Sequence, residues 1–312
     1  MKRWAPLLWI SIIAAAGWIL TERLQAIDFR DVLLQLCAQP LPTVLAASVC
    51  CVGLYTLVGI YEAIGVRMAS GQRIPVHAFR TALIANPIAR AIGVAIVSGG
   101  ALRYRMYSAV GMSPRQIGAV IVIVAMPYLL AVGWLIDLSL LFNADAAGNA
   151  LRLPAQAVVA LGAIGLAKDI GWLIFVRVRR EPIVVRGQPL PLPSLRDALI
   201  QIAFGLGQIS LMTAMLYLFM PAELNMSWPA FIAIYCIAFV AGQLSNVPAG
   251  LGVLEAALLL MLPHVPPAKL LGAVFAYRAV YELLPLLAAL MLLVIYESTH
   301  PAGVIRRRML RE

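Results

Sequence analysis

The sequence predicts an all-α polytopic integral membrane protein, with about six full transmembrane helices and two re-entrant pairs of broken helices. Three observations predict it. Hydrophobic residues make up 62% of the 312-residue chain and charged residues only 12%, with a mean hydropathy of +0.92. Soluble domains carry roughly 25% charged residues, so this much apolar surface requires lipid as its solvent. Second, six stretches reach the roughly 20 apolar residues that cross a bilayer. Third, two further apolar regions are interrupted in their middles.

The spans fall at Trp4–Leu20, Thr43–Val66, Ile117–Phe142, Pro154–Val176, Leu199–Met220 and Leu270–Tyr296. Lys2 and Arg3 before the first give it the look of a signal peptide, but it is long and no small-x-small cleavage site follows. An uncleaved helix is expected. Between the first two spans, Asp28 to Pro40 mixes charge with an apolar face, as an interfacial amphipathic helix does. The first interrupted region, about Val76 to Gly100, contains Asn86-Pro87, Arg90 and Gly99-Gly100. The second, about Pro229 to Leu262, is broken by SNVPAGLG, Ser245 to Gly252. Lipid cannot hydrogen-bond the backbone groups such breaks release, so they must be covered by protein or line a wet cavity. Re-entrant pairs satisfy this; two ordinary kinked spans are the alternative. No stretch outside the spans is long enough for a soluble domain, and residues 1–312 read as one membrane domain.

Charge supports this topology. With both termini cytoplasmic, most of the 24 Lys and Arg lie inside, and the outer segments hold Arg23, Arg30, Arg152 and Lys269. That is the positive-inside pattern of a bacterial inner-membrane protein. The net charge of +10 is thereby explained by orientation and calls for no nucleic acid. Cys37, Cys50, Cys51 and Cys236 show no C-x-x-C spacing, and His77, His264 and His300 are far apart, so neither metal nor cofactor is expected.

Ionisable groups within apolar spans are costly and mark function by default. Lys168 and Asp169 lie near the middle of their span. Arg278 and Glu282 share a face at i,i+4 and can pair. Arg90 follows the Asn86-Pro87 break, and Glu255 follows SNVPAGLG. Glu62 and Asp137, nearer span ends, are read as reaching the interface. A half-helix starting inside the membrane presents unpaired N–H groups and the positive end of its dipole, which suits phosphate. Gly250 and Gly252 would admit a ligand close to the backbone. A phospholipid headgroup would then meet the helix after Gly252, with Arg278 as a second anion partner. Lys168, Asp169, Glu255 and Glu282 would complete the cavity. No P-loop, G-x-S-x-G or H-E-x-x-H occurs, and no enzyme is expected.

GGALRYRMYSAVGMS (Gly99 to Ser113), NVPAGLGVLEAALL (Asn246 to Leu259) and AYRAVYELLPLLAAL (Ala276 to Leu290) resemble the lysylphosphatidylglycerol synthase/flippase transmembrane family. The family patterns are GG-x-x-R, P-G-G-L-G-x-x-E and Y-R-x-x-Y, in this order along essentially the whole chain. The resemblance implies an inner-membrane flippase domain of the multiple-peptide-resistance type. Members of that type expose aminoacylated phosphatidylglycerol outside and so repel cationic antimicrobial peptides. It points to Arg103, Pro248, Gly250, Gly252, Glu255 and Arg278; Asn246, within the break, is a further candidate. Ala249 departs from the family's glycine, which implies a stiffer turn. No aminoacyl-transferase domain follows RRRMLRE, so the synthase activity is not carried over. The cargo could be an anionic or aminoacylated phospholipid, a hopanoid or a glycolipid, supplied by a separate lipid-modifying enzyme. A secondary transporter of a small solute, or a non-transporting partner of a lipid synthase or glycosyltransferase, remains the alternative.

Overall fold

The computed structural model describes residues 29–92, 95–179, 183–185, 188–190, 193–245 and 247–299. The expected first span, Trp4–Leu20, the basic RRRMLRE and Asn246 lie outside them. Among the described residues the chain is helical, apart from a two-stranded antiparallel hairpin, β1 (Ile183–Val185) with β2 (Gln188–Leu190), in the Arg-rich connection.

The amphipathic segment forms α1 (Phe29–Cys37). Five spans follow the apolar stretches of the sequence: α2 (Leu41–Ser70), α5 (Pro114–Phe142), α7 (Ala155–Val178), α8 (Leu195–Phe219) and a last one in three parts. That last span runs from α11 (Pro267–Arg278) through a π-helical turn (Ala279–Leu283) into α12 (Leu284–Thr299). Local chemistry sets the ends. α2 stops at Gly71, whose φ of 72° turns the chain out of the helix. Ser113 Oγ accepts from the Gln116 amide while Gln116 accepts from the Ser113 amide, a capping box that starts α5. Ser194 and Asp197 start α8 in the same way. A short helix, α6 (Ala144–Leu151), joins α5 to α7.

Contacts between spans fix their directions. Gly53, Leu57 and Tyr61 on α2 meet Leu211, Gly207 and Phe204 on α8, so these helices are antiparallel. The end of α2 packs on the start of α5, with Gly65 against Val124 and a core of Val66, Ile117 and Val120. The chain between them, α3 (Pro75–Ile92) and α4 (Ala95–Ser108), therefore enters the bundle and returns to the end it left. At the opposite end, Phe219, Leu224, Leu262, Val265 and Leu270 share one core. The chain between α8 and α11 thus makes the same excursion from that side, as α9 (Trp228–Leu244), a 3₁₀ turn (Pro248–Gly250) and α10 (Val253–Met261). Both interrupted regions are re-entrant.

A repeat emerges. α2–α5 and α8–α12 are each a span, a re-entrant pair and a span, and they run in opposite senses. Inverted repeats of this kind build binding sites at the repeat interface from broken helices. Here the tip of α3 packs against the 3₁₀ turn of the second pair. α7 crosses between the two units and packs chiefly on α5. Their contact is close: a Cβ on Gly165 would lie 2.0 Å from Asp137 Oδ1, and one on Gly162 2.9 Å from the Asp137 carbonyl.

Candidate functional site: a cavity between the re-entrant tips

The two tips border a cavity of about 400 Å³. Tyr55, Tyr128 and Glu282, which line it, stand near the midpoints of α2, α5 and the α11–α12 span. Asn86, Ala89 and Arg90 come from the end of α3, and Arg103 from α4. Phe239 and Gln243 come from α9, and Ala249 and Gly250 from the turn. The wall is mostly apolar, with a few converging polar groups, as in small-molecule sites generally. The Tyr55 hydroxyl and Nη1 of Arg90 are buried there without a hydrogen-bond partner, and the hydroxyls of Tyr61 and Tyr128 are buried in the same wall. The Arg90 guanidinium carbon lies 4.2 Å from the centroid of the Tyr281 ring, a cation–π contact that holds the cation at the wall. Unpaired buried donors are rare enough to require an explanation, and an anionic guest supplies one.

Arg278 is engaged within the protein. Its Nε donates to Glu255 Oε1 at 2.6 Å and its Nη2 to Glu255 Oε2 at 3.1 Å. Nη1 donates to both Glu282 oxygens at 2.9 Å and to the Ala249 carbonyl at 3.0 Å, and Nη2 also reaches the Gly250 carbonyl at 3.4 Å. Every guanidinium nitrogen is engaged, so Arg278 ties the second tip to the last span. The N-terminus of α10 is likewise filled from within, because Glu255 Oε2 accepts from the Gly252 amide at 2.9 Å. A phosphate at that helix start would have to displace the Glu255 carboxylate. Gly250 (φ 62°) and Gly252 (φ 80°) serve the turn. Gly250 also packs on the Gly242 backbone, where an added Cβ would lie 3.0 Å from the Gly242 Cα. Pro248 opens the 3₁₀ turn. Ala249 holds φ 53° with a side chain, which makes it the stiff point of the turn.

The first tip has a matching tie. Arg103 donates from Nε to Glu62 Oε1 at 2.7 Å and from Nη2 to Glu62 Oε2 at 2.8 Å, with Asn86 Oδ1 at 3.3 Å. Tyr107 donates to the same carboxylate at 3.0 Å. Glu62, expected at the interface, is fully buried, because its partner arrives from α4, far along the chain. Tyr277 and Tyr281 brace the last span, through the Tyr235 hydroxyl at 2.7 Å and Met212 Sδ at 3.4 Å.

Lys168 and Asp169 are not part of the cavity wall. They lie on α7 against α5, with Lys168 Nζ 3.0 Å from Asp169 Oδ1 and 3.4 Å from Asp137 Oδ2. Asp137, also expected to reach the interface, is buried in this contact. No sequence signal marks the π turn. It begins just after Arg278 and contains Glu282, and such turns in helices concentrate at functional sites.

No family model matches the chain. It is 30% identical over 221 residues to the uncharacterized protein slr0712 of Synechocystis sp., covering 69% of this chain and 68% of that protein. It is 28% identical over 212 residues to the inner membrane protein YbhN of Escherichia coli, covering 65% of this chain and 64% of that one. The several apolar spans and the inner-membrane relative identify a multi-pass inner-membrane protein. The chain belongs to the family of Synechocystis slr0712.

Proposed function

We propose that this protein moves the polar headgroup of a phospholipid between the leaflets of the inner membrane, through the cavity between its two re-entrant tips. One observation carries the reading. Half-depth hairpins from opposite ends meet at a cavity that holds the unpartnered Arg90 Nη1 and Tyr55 hydroxyl, beside the buried hydroxyls of Tyr61 and Tyr128. A headgroup crossing hydrocarbon loses its hydration at high cost. These donors replace water around a phosphate while the acyl tails remain in lipid. Leu129 and Gln243 line the cavity yet are exposed, so it reaches the flank of the bundle, where tails can trail outward. A water-filled path for a small solute has no need of such an opening.

The resemblance to lysylphosphatidylglycerol flippases supports the same reading and favours an anionic or aminoacylated glycerophospholipid. Charge supports an orientation. Arg67, Arg73, Arg115 and Arg177 lie toward one end of the bundle, and Arg30, Arg152 and Lys269 toward the other, which supports a cytoplasmic first end.

The test is translocation of a head-labelled phosphatidylglycerol by protein reconstituted in vesicles. A hydrogen bond to a charged group contributes about 1.5–3 kcal/mol, so Arg90→Gln is expected to slow translocation roughly 10- to 100-fold, with Arg90→Lys intermediate. Wild-type rates from folded Arg90→Gln protein would overturn the proposal.

A further inference from the structure

Asp137, Lys168 and Asp169 lie outside the cavity, and their charges do not balance. The three sit where α5 crosses α7: Lys168 is near the middle of α7, and Asp137 lies toward the far end of α5, still within its apolar run. Both carboxylates are buried, and one ammonium lies between them, 3.0 Å from Asp169 Oδ1 and 3.4 Å from Asp137 Oδ2. The Lys168 side chain is 62% exposed on the outer flank, whereas Asp169 Oδ2 is buried with no hydrogen-bond partner.

Among the described residues no other charge compensates the set. The groups acting electrostatically on Asp137 are Lys168 and Asp169, and those acting on Lys168 are the two carboxylates. The remaining charges on the packed elements stand at the bundle ends: Arg115 on α5, Arg177 on α7, Asp145 on α6 with Arg152 just beyond it, and Arg196 and Asp197 on α8. Fully ionised, the cluster would leave one negative charge within an apolar span, which is costly. A structural ion pair needs one carboxylate; the second is surplus. Two adjacent carboxylates that cannot both ionise share a proton.

We propose that Asp137, Lys168 and Asp169 form a proton-binding site, in which a single proton bound to one of the two carboxylates neutralises the cluster and is released to water when the site opens. The site couples to the cavity through α5, which carries Asp137 at one end of its apolar run and the cavity-lining Tyr128 and Leu129 beside Pro127 in the middle. Pro127 removes one helix hydrogen bond there. This coupling role rests on the lipid-translocation reading; proton occupancy does not.

Infrared difference spectroscopy of the full protein in lipid nanodiscs tests it, reading the C=O stretch of protonated carboxyl groups as pH is varied. The wild type is expected to show such a band at neutral pH, unaffected by sodium, and Asp169→Asn to lose it. Lys168→Gln changes an exposed residue and is expected to fold. It removes the compensating ammonium, so its band should be larger. A wild type with no protonated-carboxyl band at neutral pH would overturn the site. So would a band unchanged in Asp169→Asn, or one unchanged in Lys168→Gln. Because this measurement does not involve lipid movement, its failure is separable from failure of the translocation assay.

Discussion

Replacing Arg278 by alanine would leave two carboxylates facing each other across the second re-entrant tip. In the native chain the guanidinium joins Glu255, Glu282 and the carbonyls of Ala249 and Gly250, and Glu255 is only 3% exposed. Removing one partner of a buried ion pair costs about 3–5 kcal/mol, because the other charge stays desolvated. The backbone carbonyls of the turn lose a donor as well, which places the expected loss toward the upper part of that range. Thermal or denaturant unfolding in detergent, followed by tryptophan fluorescence, measures it. The double variant Arg278→Met, Glu255→Met removes the stranded charge at Glu255 and should recover a substantial part of the loss. An Arg278→Ala protein within about 0.5 kcal/mol of wild type, the scatter of unconstrained surface substitutions, would refute the keystone role.

Two further outcomes follow from local geometry. Ala249 occupies the left-handed region, where a side chain costs roughly 1–2 kcal/mol, so Ala249→Gly should stabilise the protein by up to about 1 kcal/mol in the same assay once the entropy of glycine is counted; destabilisation would show that the methyl packs usefully. At the Lys269 end of the bundle, the ammonium of Lys269 holds the exposed Glu223 carboxyl below its ordinary value of 4.5. Its folded pKa is therefore below the unfolded one, and the pair's contribution exists above the unfolded value and fades as pH falls through the folded one. The difference in Tm between wild type and Glu223→Gln should be present at neutral pH and vanish in strong acid; a gap that persists in acid would contradict the pairing.

Composition and apolar run length are enough to locate all five described spans, because lipid leaves a helix few alternatives. The second break is legible in SNVPAGLG, where the helix does stop; Asn86-Pro87 is not a break, because α3 continues through Pro87 to Ile92. The i,i+4 pairing of Arg278 with Glu282 follows from helix geometry alone. Partnerships between distant segments do not. Glu62 and Arg103 lie on different helices, as do Glu255 and Arg278, and no local pattern couples them. Arg278 and Glu255 thus read as ligand groups in the sequence, whereas the structure pairs them with each other, and Arg90 emerges as a cavity-lining cation with an unpartnered Nη1 only once its neighbours are in place. Charge alone places Lys168 and Asp169 in the cavity, but α7 packs on the far side of α5 and keeps them out of it.

α7 is the least buried of the five spans, and none of its residues lines the cavity. Yet the order of insertion into the membrane depends on it. The first unit ends at one surface, and the second must begin at the other for its hairpin to enter from the opposite side. A single crossing between them reverses the chain. Without α7, both hairpins would be threaded from the same face, and their tips would lie side by side instead of meeting. The most weakly packed helix therefore determines whether a chamber forms at all, through parity of crossings and not through any contact it makes.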